Sequence, residues 1–119
     1  MRFFEFSQNN SGGRFEIDEA KGIGSSVYIE ARTANEANEK AERIEIYFDG
    51  VDEGRDCECC GDRWFRASEH SGEKKIVLSE VYSFNWHPFV YVHHADLKRG
   101  FSTISKDDIG DFFTIKRSE

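Results

Sequence analysis

Phe89-Val90-Tyr91-Val92-His93-His94 opens on the longest unbroken apolar run of the chain. In an extended strand successive side chains point to opposite faces, so Phe89, Tyr91 and His93 share one side and Val90, Val92 and His94 the other. Neither side carries charge for water to solvate. Such a strand is either central in a sheet covered on both faces or part of a subunit interface. The run falls far short of the ~20 apolar residues that a membrane-spanning helix needs.

On its C-terminal side, Ala95-Asp96 turns into Leu97 to Ser105, and Asp111-Phe112-Phe113-Thr114-Ile115-Lys116 adds a last amphipathic strand or short helix. On its N-terminal side, Phe84-Asn85-Trp86-His87-Pro88 interrupts regular structure. Before that, Arg63-Trp64-Phe65-Arg66-Ala67 reads as a short strand, and Ser71-Gly72-Glu73-Lys74 as a hairpin turn into Lys75-Ile76-Val77-Leu78. Residues 2–6 and 14–17 are expected to pair antiparallel across the Asn, Ser and Gly loop that ends at Gly13, and 26–31 reads as a further strand.

One helix is plain. Thr33 with Glu36 three residues on makes a capping box, and Ala34, Ala37, Ala41 and Ile44 follow at helical spacing. Glu36 with Lys40 and Glu39 with Arg43 are i,i+4 pairs expected on the wet face. Tyr47-Phe48 then leads into a turn or helix stop at Asp49-Gly50.

Composition agrees with a sheet-rich fold. The 119 residues include 11 Phe, 4 Tyr and 2 Trp but only 2 Leu, and aromatic and β-branched side chains suit a pleated, half-buried surface. Leu, Ile, Val and Phe together make 28 residues, about 24%, above the roughly 20% below which disorder is the default. The expectation is a single α+β domain over residues 1–119, a small antiparallel sheet packed with one or two helices. The N-terminus shows no apolar core of a signal peptide, so the expected location is the cytoplasm. Three cysteines crowded into four positions do not form a secreted disulfide framework. A formal charge of -7 opposes sequence-independent binding of duplex nucleic acid.

Cys57-Glu58-Cys59-Cys60-Gly61 is the sharpest local motif. Cys57 and Cys60 have the C-x-x-C spacing of a zinc knuckle, and Gly61 permits the turn that aims backbone N–H groups at thiolates. A tetrahedral site needs four ligands, so the two that are missing would have to come from Cys59 or the histidines His70, His87, His93 and His94. A turn of reduced thiols without metal is the plain alternative. His93 and His94 point to opposite faces of their strand and cannot serve one site. No nucleophile elbow, P-loop or zinc-hydrolase motif is present, so no catalytic residue is expected, with a Cys/His enzyme the minor alternative.

Ligand capture is the stronger expectation. Arg14, Arg63, Arg66 and Arg99 lie beside or one residue from Phe15, Trp64, Phe65 and Phe101. Guanidinium groups form bidentate bonds to phosphate, and flat rings stack on purines. Arg63, Arg66 and Arg99 are the phosphate candidates, with Arg14 at the Gly-rich loop; Trp64, Phe84 and Trp86 are stacking candidates, and Asn85 is placed to bond a base or ribose. The same neighbours also read as ordinary surface packing of arginine on rings.

Asn9-Asn10-Ser11-Gly12-Gly13, Tyr47-Phe48-Asp49-Gly50-Val51, Asp56-Cys57-Glu58-Cys59-Cys60-Gly61-Asp62-Arg63-Trp64 and Tyr91-Val92-His93-His94 together resemble a group of small proteins encoded by tailed bacteriophages. The resemblance covers most of residues 2–94. It implies an anti-defence role by analogy with oligomeric sponges of the anti-Thoeris type, which sequester cyclic ADP-ribose or cyclic oligonucleotide signals of bacterial immunity without cleaving them. The expectation is therefore a cytoplasmic, homo-oligomeric binder of a small nucleotide-like signal, requiring no cofactor, with structural zinc as an option. The competing expectation is an acidic interaction module: from Glu36 to Glu53 seven carboxylates stand against two basic residues, a pattern that can mimic nucleic acid before a host enzyme.

Overall fold

The computed structural model describes residues 1–9, 15–77, 81, 87–96, 98, 100–105 and 114–116. Among them run β1 (Arg2–Ser7), β2 (Ser26–Ala31), α1 (Ala34–Arg43), β3 (Lys75–Val77), β4 (Phe89–His93), β5 (Phe101–Ser105) and β6 (Thr114–Lys116). Short 3-10 turns occupy Glu19–Lys21 and Glu69–Ser71. The main sheet has the order β1-β2-β4-β5, and β3 pairs with β6 in a second, two-stranded sheet. The fold is a small α+β domain.

The doubly apolar strand is central. β4 lies between β2 and β5, and Val90, Tyr91, Val92 and His93 are each no more than 3% exposed. The cover on both faces comes from this chain, not from a subunit interface. β4 runs antiparallel to β5, from Phe89 opposite Ser105 to His93 opposite Phe101. With β2 it runs parallel, Val27 opposite Tyr91 and Ile29 opposite His93, so the sheet is mixed rather than wholly antiparallel. A parallel pair needs a long crossover, and residues 32–88 supply it.

Alternation along β1 builds two core layers. Phe4 and Phe6 face one side with Val27 and Ile29, where Ala34, Ala37 and Ala41 of α1 and Trp64 close over them. Phe3 faces the other side with Tyr28, Ile76, Val90 and Val92. The alanine face lets α1 lie close on the sheet. Its N-terminus is capped twice: the Glu36 amide donates to Thr33 Oγ1 at 3.1 Å and the Ala34 amide donates to Glu69 Oε1 at 2.6 Å.

Three local expectations are corrected. Residues 15–17 do not pair with β1, whose partner is β2 from Arg2–Ala31 through Ser7–Ser26. Arg14 lies outside the described residues, and residues 15–17 form no strand because the Gln8 side-chain amide takes the place of one: its Nε2 donates to Glu16 O at 2.7 Å and its Oε1 accepts from Glu16 N at 2.8 Å. Residues 63–67 also form no strand. Arg63 N donates to Asp56 Oδ2, and Asn38 clasps Ala67 through both its N–H and its C=O, so side chains satisfy backbone groups that a ladder would have used. Lys40 pairs with Glu36 at 3.0 Å as expected, but it is buried rather than wet, because its ammonium also donates to Glu30 O at 3.2 Å and Ala95 O at 2.5 Å.

Candidate functional site

Helix α1 ends in a Schellman turn, with Ile46 N–H donating to Ala41 O at 3.0 Å and Glu45 at φ 75°. Asp49, four residues on, stands at φ 57°. A side chain with a Cβ in this left-handed region costs roughly 1–2 kcal/mol, and non-glycine strain of this kind collects at ligand sites. Both residues line one cavity of about 820 Å³.

The cavity is walled by rings, guanidinium groups and carboxylates. Tyr47, Phe48 and Trp64 supply the rings, Lys21, Arg55 and Arg66 the cations, and Glu16, Asp18, Glu42, Glu45, Asp49 and Glu53 the carboxylates. Arg55 stacks with its Cζ 3.7 Å from the Tyr47 ring centre, and Arg66 stands 5.0 Å from that of Phe48. Arg66 Nη2 lies 2.8 Å from Asp49 Oδ2, which holds the Asp49 carboxyl below its ordinary range. Lys21 bridges to Glu45 and so ties the 3-10 turn at Glu19–Lys21 to the end of α1.

Asp56 fixes this wall from behind. Its Oδ1 accepts from the Tyr47 hydroxyl at 2.8 Å and its Oδ2 from Arg63 N at 2.9 Å. Burial, and then the bond to Asp56, push the Tyr47 phenol up, so it stays a neutral donor. Gly50 is required here: a Cβ at that position would overlap the Asp56 carboxylate and crowd the Tyr47 ring.

Of the residues singled out in the sequence, Trp64 and Arg66 meet at this cavity. Trp64 is only 3% exposed and packs in the core layer beneath α1, leaving little of its ring for a stacked base. Arg63 belongs to a smaller cavity of about 150 Å³ with Asn9, Arg55, Asp56, Cys57, Cys60 and Gly61. Its Nη1 donates to Gln8 Oε1 at 3.0 Å, and its Nη2 lies 3.7 Å from Glu16 Oε1. Arg14, Phe84, Asn85, Trp86 and Arg99 lie outside the described residues. Tyr47, Phe48 and Arg55 were not singled out as ligand residues. Arg55 sits between Gly54 and Asp56 with no ring beside it in sequence, and only closure of the loop brings it onto Tyr47.

The cysteine motif forms a tight turn at the edge of the smaller cavity. Cys60 N and Gly61 N donate to Cys57 O at 3.1 and 3.0 Å, Gly61 takes φ 82°, and Asn9 Nδ2 donates to Cys60 O at 2.9 Å. The Cys57 and Cys59 sulfurs are 2.7 Å apart and those of Cys59 and Cys60 3.6 Å, and all three lie within 4.8 Å of one another. Tetrahedral zinc with Zn–S bonds of about 2.3 Å spaces its sulfurs by about 3.8 Å, so the three cysteines lie close enough together to hold a metal. The Cys59 thiol, with the Cys59 and Cys60 amides, draws the Cys57 thiol below its usual range, while Cys59, facing its two neighbours, is pushed up to about 11.

No histidine joins them. His93 Nε2 bonds Gly22 O at 2.8 Å, His94 Nε2 meets Ser102 Oγ at 3.1 Å, His87 Nδ1 meets Phe89 O at 3.0 Å, and His70 lies in the 3-10 turn at Glu69–Ser71. No helix among the described residues is long and apolar enough to cross a membrane.

The chain belongs to the family described as "Domain of unknown function (DUF7296)", whose profile matches residues 1–107. Neither a curated protein nor a solved structure matches it significantly.

Proposed function

We propose that this DUF7296 member is a non-catalytic binding protein that captures a small nucleotide-like signal in the cavity at the end of α1. One observation carries the reading: two guanidinium–ring pairs, Arg55 with Tyr47 and Arg66 with Phe48, line a single cavity of about 820 Å³. Small-molecule sites typically enclose about 300–1,000 Å³. Rings offer faces for a base, guanidinium groups take phosphate oxygens, and capture alone requires no nucleophile. Six carboxylates on the lining limit the negative charge a ligand can bring, which favours a cyclic nucleotide or cyclic ADP-ribose over a linear triphosphate.

The likeness of the loop and cysteine segments to small phage proteins supports an anti-defence setting. In that setting the protein sequesters an immune signal in the host cytoplasm, as a homo-oligomer. The cysteine turn fits a structural zinc held through Cys57 and Cys60 with Cys59 beside them, a staple for the loop that carries Arg55.

A second reading rests on the carboxylates themselves. Glu16, Asp18, Glu42, Glu45, Asp49 and Glu53 outnumber the three cations on the lining, which suits a basic protein surface such as the nucleic-acid groove of a host enzyme. Isothermal titration against cyclic mononucleotides, cyclic dinucleotides and cyclic ADP-ribose separates the two. Capture predicts one panel member bound at a Kd of about 1 μM or below and recovered chemically unchanged after denaturation. Silence of the whole panel at about 100 μM, with salt-sensitive retention of a nucleic-acid enzyme from host lysate, would give the site to the second reading.

A further inference from the structure

We infer that the Cys57–Cys60 turn is an open three-thiolate metal site, with Cys59 as a full ligand and the fourth coordination position filled by an imidazole or thiolate from outside the chain. The inference rests on the metal reading above and goes beyond it in naming the ligand set and the donor it leaves out.

The three sulfurs converge within 4.8 Å, and no described imidazole or carboxylate joins the group. The chain has three cysteines and four histidines in all, and every one of them is a described residue. None of the four histidines joins the group: those at 87, 93 and 94 are bonded to Phe89, Gly22 and Ser102, and His70 lies in the 3-10 turn at Glu69–Ser71. Asp56, the nearest carboxylate in sequence on the N-terminal side, has one oxygen on the Tyr47 hydroxyl and the other on Arg63 N. This chain therefore has no fourth sulfur or imidazole to give.

The site is also placed to receive one. Cys57 and Cys59 are exposed and Cys60 is half-buried, so the thiolates lie at the surface rather than in a sealed pocket. Structural zinc sites are closed by four protein ligands, whereas sites with three protein ligands keep one position for water or an incoming donor. Three thiolates select soft or borderline cations such as zinc and monovalent copper over magnesium or calcium.

Cobalt(II) in zinc's place makes both parts visible. The reduced full-length protein, titrated without oxygen, is expected to bind one equivalent, or half an equivalent where two copies share the metal, and to show tetrahedral d–d bands with sulfur-to-cobalt charge transfer. Cys57→Ser, Cys59→Ser and Cys60→Ser should each remove about a third of that charge-transfer intensity, one thiolate of three. Added imidazole or β-mercaptoethanol should shift the d–d bands by entering the fourth position.

Native mass spectrometry tells the donor's source: one metal in a monomer with the added donor, or one metal between two chains when a second copy supplies it. Either supports the inference. Unshifted d–d bands on adding donor to a protein whose metal sits in a monomer, or full charge-transfer intensity in Cys59→Ser, would overturn it while leaving a metal site standing. Absence of any cobalt spectrum in a protein with unchanged circular dichroism would remove the metal reading and this inference together.

Discussion

Lys40 carries three hydrogen bonds on one ammonium, to Glu36 Oε1, Glu30 O and Ala95 O, and thereby pins α1 to the end of β2 and to the turn after β4. Lys40→Met keeps the apolar stem but leaves two carbonyls without their donor, at a cost of about 2–3 kcal/mol. A lower urea midpoint with an unchanged m-value checks this. A loss under about 0.5 kcal/mol would mean that the strut carries nothing beyond ordinary surface pairing.

His93 behaves differently with pH. Burial holds its imidazole below its ordinary value of 6.5, and the bond from Nε2 to Gly22 O offsets part of that. The unfolded chain then takes up the proton first, so the contribution of His93 is complete above about pH 6.5 and is lost as the pH falls through its folded value. Denaturation between about pH 7.5 and 5 should show stability declining toward acid, and His93→Gln should flatten that slope. An identical slope in both proteins would assign the acid sensitivity to carboxylates.

The segment from Val51 to Ala67 contains no strand, and the site depends on how it is held. Gly50 is its hinge, since only a residue without Cβ lets the Asp56 carboxylate reach both the Tyr47 hydroxyl and Arg63 N. Gly50→Ala should destabilise by at least about 2 kcal/mol and release the wall on which Arg55 lies. Gly54→Ala, at φ 76° with open space around it, should cost only about 1 kcal/mol of backbone strain. Thermal melts of the two variants check the contrast, and equal melting temperatures would refute the Asp56 anchor.

Elements with their own period were legible in sequence. β1, β2 and β4 announce themselves by apolar spacing, and α1 by Thr33 and its alanine face. Residues 15–17 and 63–67 depart from their strand-like pattern because Gln8, Asn38 and Asp56, distant side chains, bond their backbone, and no local pattern marks such partners. The same limit governs the cavity. Arg66 and Trp64 stood out by their neighbours in sequence, whereas Arg55 meets Tyr47 only through the fold.

Taken whole, the molecule concentrates its charge contrast at one place. The formal charge of -7 argues against tracking a nucleic-acid backbone, yet three of its cations gather at the cavity among six carboxylates and three rings. Lys21 and Arg66 are bonded to Glu45 and Asp49, while Arg55 lies on Tyr47. A single phosphate linkage between a stacked base and Arg55 fits this balance of charge; a chain of phosphates does not.

The most direct measurement is paired calorimetric titration of the wild-type protein and Arg55→Ala with cyclic nucleotides and cyclic ADP-ribose. Removing one guanidinium from the surface should leave the fold intact by circular dichroism. The wild type is expected to bind one of these ligands, and Arg55→Ala to weaken that binding at least tenfold, about 1.4 kcal/mol. Equal affinity in the two proteins, or no heat from the wild type with any ligand, would contradict this expectation.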